Sequence, residues 1–315
     1  MWPVAKRAHW EDAKPDTAGT RIFVVAMIDG LRLEDGEYGR RAVAISAWSP
    51  EMTEYLLRND VVELELNHAK GWRGNDLSFL AALPKLASFT IIDLGIASVE
   101  PIHSLHDLRT LGVTTYCKTE IRFSAFPRLT KCVLEWRPKA TSLFDCSLLT
   151  SLFLNRYNGK DTASFANLAK LEWLGILNAP IENINGLSNL RNMRYLRLGN
   201  LRKLTSLAGI ESLSNLERLD LQTCRAIGSI REVAFLSKLQ QFHLSDDGDI
   251  ASLEPLRTLT HLTTVTFAES TNIIDGDLSP LFLNKNLSRV SFQNRRHYSH
   301  RREEFGFAYT GVRND

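Results

Sequence analysis

Leu171-x-x-Leu174-x-Ile176 opens a pattern that continues through Ile181, Ile184, Leu187 and Leu190. It repeats as Met193-x-x-Leu196-x-Leu198 with Leu204, Leu207, Ile210 and Leu213, and again as Leu216-x-x-Leu219-x-Leu221 with Ile227, Ile230, Val233 and Leu236; Leu239 opens the next copy. Each copy has two periods. Leu174 and Ile176 alternate with Trp173, Gly175 and Leu177, the period-two signature of a strand buried on one face. The later apolar residues of each copy recur every third position. An α-helix of ~3.6 residues per turn drifts off such a register, whereas a 3₁₀ helix of ~3 residues per turn keeps it. The unit therefore reads as strand, loop, tight helical turns and return, and one unit alone cannot bury its own apolar face.

This alternation of Leu-x-x-Leu-x-Leu with apolar residues at every third position resembles the ~22-residue leucine-rich repeats of phosphatase-regulator and internalin type. The resemblance implies an α/β leucine-rich-repeat solenoid, with a curved parallel β-sheet on the concave face and 3₁₀ or short helical turns on the convex face. Working outward, first positions fall at Val61, Leu86, Leu108, Leu129, Leu149, Leu171, Met193, Leu216, Leu239, Leu262 and Leu287. Strands at ~4.8 Å spacing would make a sheet roughly 50 Å long. Many such repeats carry Asn or Cys at the ninth position. Here that position holds Leu94, Tyr116, Arg137, Tyr157, Ala179, Leu201, Cys224, Asp247 and Ser270, with Asn178 and Asn200 one residue early. The loop register there is open by one residue.

The repeats are expected over residues 61–294. Residues 1–20 are polar and irregular and read as a flexible arm. Residues 21–60 read as an α+β N-terminal cap, with a small binding domain as the alternative. Within them, Arg21 to Asp29 and Arg41 to Ala47 are strand candidates, the segment from Asp29-Gly30 through Asp35-Gly36-Glu37 has turn chemistry, and Ser49-Pro50-Glu51 starts a helix. Residues 295–315, opening with the basic run Arg295 to Arg302, read as a C-terminal cap or tail.

The chain of 315 residues carries a net charge of +2, which gives no global pull toward nucleic acid or anionic membrane. The N-terminus lacks the apolar core of a signal peptide, and the apolar run Ile22 to Ile28 is too short to span a bilayer. Cys117, Cys132, Cys146 and Cys224 form no Cys-x-x-Cys pair, which fits a reduced, cytoplasmic protein, with non-classical export as the other route. A monomer is the expected state.

Third, fifth and seventh positions of each strand point away from the leucines. On the central strands they place Phe153, Trp173, Leu177 and Tyr195 outward, flanked by Arg156, Arg197 and Arg218, with Tyr157 on the adjacent rim and Gly175 and Gly199 leaving shallow pockets. Asp220 and His243 extend the row. Trp, Tyr and Arg dominate interface energetics, so these residues are the candidate partner-binding surface; cross-strand packing among the aromatics is the competing reading. No Gly-rich phosphate loop occurs, no nucleophile accompanies His243, and His297 and His300 lack a third ligand at metal spacing. The expectation is a non-catalytic scaffold without cofactor or metal that binds a protein partner, by resemblance one whose enzymatic activity it regulates or neutralises. The alternatives are a nucleic acid or phosphorylated ligand held by the arginines and the basic C-terminal run, or an exported effector or adhesin.

Overall fold

The computed structural model describes residues 24–28, as backbone, and 30–306. Residues 1–20, read as an arm, and the end of the tail lie outside the described residues. Two compact units divide the chain, Met1–Arg156 and Tyr157–Asp315.

In the first unit, strands β1 (Val24–Ile28), β2 (Leu31–Asp35) and β3 (Arg40–Ala44) form an antiparallel meander. Helix α1 (Pro50–Arg58) follows, and β3 then pairs in parallel with β4 (Val61–Asn67). Parallel pairing continues through β5 (Ser88–Ile92), β6 (Thr110–Thr114), β7 (Lys131–Glu135) and β8 (Ser151–Asn155). The segment with turn chemistry contains β2, because Leu31 and Leu33 alternate inward and are buried. Turn residues flank this strand, at Gly30 (φ 82°) before it and from Gly36 to Gly39 (φ 148°) after it. Ser49 occupies the position before α1 with extended backbone but caps none of its backbone N–H groups; its side chain bonds Glu51, which sits with Pro50 in the first turn.

In the second unit, β9 (Trp173–Leu177), β10 (Tyr195–Gly199), β11 (Arg218–Gln222) and β12 (Gln241–Ser245) pair in parallel. A two-residue strand β13 (Asp249–Ile250) precedes β14 (Thr264–Ala268), and the equally short β15 (Asn272–Ile273) pairs with β13 beside the main sheet. Helix α2 (Ser279–Phe282) and β16 (Arg289–Phe292) complete the order, with β14 between β12 and β16. Every strand from β5 to β16 of the main sheets starts two residues after a first position read from the sequence. Neighbours pair without slip: Trp173 opposes Tyr195, which opposes Arg218, which opposes Gln241 and Thr264 in turn.

The every-third apolar residues explain themselves in the backbone. Leu187 N–H bonds Ile184 O, Leu190 bonds Leu187 and Met193 bonds Leu190, at 3.0, 2.9 and 3.0 Å. Leu80, Leu83 and Leu86 repeat this in the first unit. These i→i+3 bonds put each apolar side chain over the last, and Ile184, Leu187, Leu190 and Met193 are all fully buried. Each such burial contributes roughly 1.5–3 kcal/mol. Coils then join through position two, where Arg194 N–H bonds Glu172 O and Glu217 N–H bonds Arg194 O, both at 2.8 Å.

Past Phe292 the chain folds back. The Phe292 ring stacks on Phe267 at 4.8 Å, and Tyr298 and Phe305 meet Phe292 edge-on at 6.0 and 5.8 Å. These rings cover the end of the second unit's core.

Candidate functional site

A left-handed corner follows each main-sheet strand from β8 to β14 and sets which way the next residue turns. Arg156, Asn178, Asn200, Thr223, Asp246 and Glu269 all have φ between 53° and 60°. They occupy position eight, where asparagine tolerates this backbone best among residues with a side chain. This is why Asn178 and Asn200 stand one residue early, and Asn200 Nδ2 donates to Asn178 Oδ1 at 2.6 Å. The ninth position is buried at Arg137, Tyr157, Ala179, Leu201, Cys224 and Asp247 and exposed at Leu94, Tyr116 and Ser270. At Asp247 the carboxylate performs the bonding expected of an asparagine: Oδ1 accepts Cys224 N–H at 2.7 Å and Oδ2 accepts Ser245 N–H at 2.8 Å. Its burial pushes the carboxyl up to about 6, against the pull of those two donors.

On the sheet face opposite the leucines, the second unit carries a chain of contacts. Trp173 meets Tyr195 edge-on at 5.6 Å, and the Arg218 guanidinium lies 4.7 Å over the Tyr195 ring. Tyr195 Oη donates to Asp220 Oδ2 at 2.5 Å, and Arg218 Nε and Nη2 each donate to the same carboxylate at 2.9 Å. Burial, then the Asp220 charge, holds the Tyr195 phenol far above its ordinary value. His243 Nε2 lies 4.0 Å from Asp220 Oδ1, and its Nδ1 is 2.6 Å from Thr266 Oγ1. Burial lowers the imidazole's proton affinity more than Asp220 raises it. Arg197 Nη2 donates to Gln222 Oε1 at 3.3 Å.

The placement corrects the expected exposure. Trp173 and Tyr195 are only 7% and 5% exposed, and Leu177 and Phe153 are equally buried. Long side chains lie along the sheet onto neighbouring strands rather than standing clear of it. The shallow pocket expected at Gly199 is filled, since a Cβ there would come within 2.3 Å of Leu177 Cδ2. Tyr157 is not on the rim. At position nine it turns inward, and its ring meets the fully buried Phe165 edge-on at 5.4 Å. The solvent-facing polar parts are therefore Arg218, Arg197, Gln222 and the edge of His243.

Phe153 and Arg156 belong to the first unit. Arg156 stands 5.2 Å over the exposed Tyr116 ring and 3.4 Å from Glu135, a buried carboxylate raised by burial that accepts a bond from Asn155 Nδ2 at 2.7 Å. The first unit also holds a polar group that the pattern of leucines did not flag. Buried Glu65 pairs with Arg41 and with Lys70, the latter at 2.9 Å. The tip between β2 and β3 lies nearby: Tyr38 N–H bonds Glu63, Tyr38 Oη is 2.9 Å from Thr110 Oγ1, and Glu37 pairs with Lys131. Only the long-range strand pairing reveals this tip, because nothing local links Glu37 to Lys131.

His297 and His300 separate, the first to Ile273 O at 2.9 Å and the second onto the Phe282 ring at 4.3 Å. Among the described residues no three His, Cys, Asp or Glu side chains are placed to share a metal ion. No helix among them is long and apolar enough to cross a membrane.

No protein-family profile matches the sequence, and no curated protein matches it. Solved structures do. The internalin InlF of Listeria monocytogenes shares 20% identity over 82% of this chain and 83% of its own, with a TM-score of 0.57. TLR13, solved in complex with ssRNA13, shares 20% identity over 78% of this chain and 41% of its own, with a TM-score of 0.55. The functional domain of InlJ from Listeria monocytogenes shares 17% over 76% and 55%, with a TM-score of 0.51. The chain has the leucine-rich-repeat solenoid fold.

Proposed function

We propose that this protein is a binding scaffold, without catalytic activity of its own, that holds a protein partner on the open sheet face of the second unit. The observation that carries the reading is the Trp173–Tyr195–Arg218–Asp220–His243 chain. The fold does not need these residues, since the core lies on the other face, yet they are fixed to one another by ring contacts and hydrogen bonds. A surface ordered before binding loses little entropy when a partner arrives. Arg218, Arg197, Gln222 and His243 supply directional donors over the apolar floor of Trp173, Leu177 and Tyr195, the composition of interface hot spots. Phe153 and Arg156 are proposed contacts of the first unit.

The arginines favour protein over nucleic acid. Arg218 and Arg156 already face Asp220 and Glu135, so they bring little net charge for phosphates to neutralise. Free thiols at all four cysteines support a reducing compartment. A partner that is an enzyme would be regulated or neutralised by being covered.

The test is affinity capture with the full chain, in parallel with a Trp173→Ala/Tyr195→Ala double variant and an Arg197→Ala/Arg218→Ala double variant. A protein captured by the parent and lost, or weakened at least tenfold, by both folded variants supports the reading. Full retention by a folded Trp173→Ala/Tyr195→Ala variant sinks it. Capture dominated by nucleic acid, with steep salt dependence, replaces it.

A further inference from the structure

Arg137 occupies position nine of its repeat, which is exposed at Leu94 and Tyr116 and buried at Tyr157, Ala179, Leu201 and Cys224. Its side chain is 3% exposed. A guanidinium cannot shed its charge by deprotonation, so burial normally demands a carboxylate partner. Among the described residues no carboxylate lies within ion-pair distance of Arg137, and its Nε has no acceptor. Its Nη1 is instead aimed at Cys117 Sγ, 3.2 Å away, while Nη2 reaches Thr115 Oγ1 at 3.1 Å and Thr115 O at 3.4 Å. Thr115 Oγ1 also lies 3.2 Å from the sulfur. Cys117 is partly exposed. A buried cation that touches no carboxylate, though the charge of Glu135 acts on it from farther off, thus points at a thiol that solvent can reach, and the anion in direct contact that would compensate it is the thiolate.

We infer that Cys117 is a modification site, a thiolate held by Arg137 and oxidised by small hydroperoxides to the sulfenic acid. In that step the Cys117 sulfur attacks one peroxide oxygen, the S–O bond forms and the O–O bond breaks. Sulfur loses two electrons to the peroxide, and the leaving hydroxide or alkoxide takes up a proton from water. The added oxygen places a new acceptor beside a guanidinium whose Nε has none.

The other three cysteines set the contrast. Burial, the largest influence on Cys117, works against ionisation, but the Thr115 and Thr119 hydrogen bonds and the Arg137 charge outweigh it and hold the thiol below its ordinary value. Burial pushes Cys146 up to about 11 and Cys224 up to about 12, and it raises the fully buried Cys132 further still. Only thiolate reacts at a useful rate, so the four thiols should separate sharply.

The experiment treats the native full chain with hydrogen peroxide and dimedone and maps the adducts by mass spectrometry across pH. Cys117 should label about tenfold or more faster than Cys146 at neutral pH, with a midpoint below the ~8.5 of a free thiol. Arg137→Gln should slow labelling about tenfold and raise the midpoint, while Arg137→Lys, which keeps the charge, should retain most of the rate. Labelling of Cys117 no faster than Cys146, or a midpoint at or above the free-thiol value, overturns the inference. So does an unchanged rate in folded Arg137→Gln; should that variant not fold, the parent's pH midpoint decides.

Discussion

Tyr195 and Asp220, on adjacent strands, share a hydrogen bond of 2.5 Å, and the carboxylate that accepts it is also clasped by Arg218. A phenol bonded to a half-sheltered carboxylate contributes more than a neutral pair, roughly 1.5–3 kcal/mol. Tyr195→Phe should therefore lower the unfolding free energy by about 1.5–3 kcal/mol in denaturant titrations. The cycle with Asp220→Asn should show a coupling above about 0.5 kcal/mol; additivity would mean the bond contributes nothing.

Asp247 predicts an inverted pH dependence. Its carboxyl titrates near 6 in the folded chain because burial disfavours the charge, against ~3.9 unfolded. Between those values the folded state binds more protons, so its stability contribution falls as pH rises from about 4 to about 6 and is flat above. The loss is on the order of 3 kcal/mol. Denaturation curves of the parent and Asp247→Asn across that window should diverge by this slope, and parallel curves would remove Asp247 as its source.

The left-handed corners rank substitutions by backbone alone. Glu269 is exposed with φ 58°, and Asn178 has φ 57°. Glu269→Asn should stabilise by about 0.5–1 kcal/mol, while Asn178→Ala should cost about 1 kcal/mol or more, since it meets the left-handed penalty and loses the bond to Asn200. Thermal denaturation of the two variants should shift in opposite directions.

Two glycines make a matched control. A Cβ on Gly186 would stand 2.0 Å from the Thr162 carbonyl oxygen of the preceding coil, and one on Gly228 would meet nothing within 4 Å. Gly186→Ala should cost about 1–3 kcal/mol by forcing two coils apart, with Gly228→Ala close to neutral. Equal melting temperatures for the two would show that the coils yield freely at Gly186.

Periodicity made the inward half of the molecule legible to the residue. Leu174, Ile176, Ile184 and Leu187 lie where alternation and three-residue spacing put them, because one physical requirement, burial, governs all of them. The outward half was legible only as a set of positions. Alternation says that Trp173 and Tyr195 leave the core, but not that they fold down onto neighbouring strands, which depends on what the adjacent repeats present. The same limit hid Tyr157 and Arg137. Tyr157 turns inward after the left-handed corner at Arg156, which only the backbone conformation reveals, and Arg137 is buried with no such corner before it. Strand β2 was hidden because Gly30 and Gly36 mark the ends of a segment whose middle, Leu31 and Leu33, is ordinary core.

Slip-free pairing from β9 to β12 has a consequence for how such a chain can change over time. The ladder bonds are made by backbone, and the leucines are satisfied by any apolar neighbour of similar volume. The outward residues form a grid in which each point touches its immediate neighbours and little else. A substitution at one point, such as Arg197, leaves the ladder beneath intact. Sequence can therefore drift through the grid almost freely while the architecture stays put. Chains of this fold need share little at those points, and here identities of 17 to 20% go with TM-scores of 0.51 to 0.57: one writing surface can carry many texts.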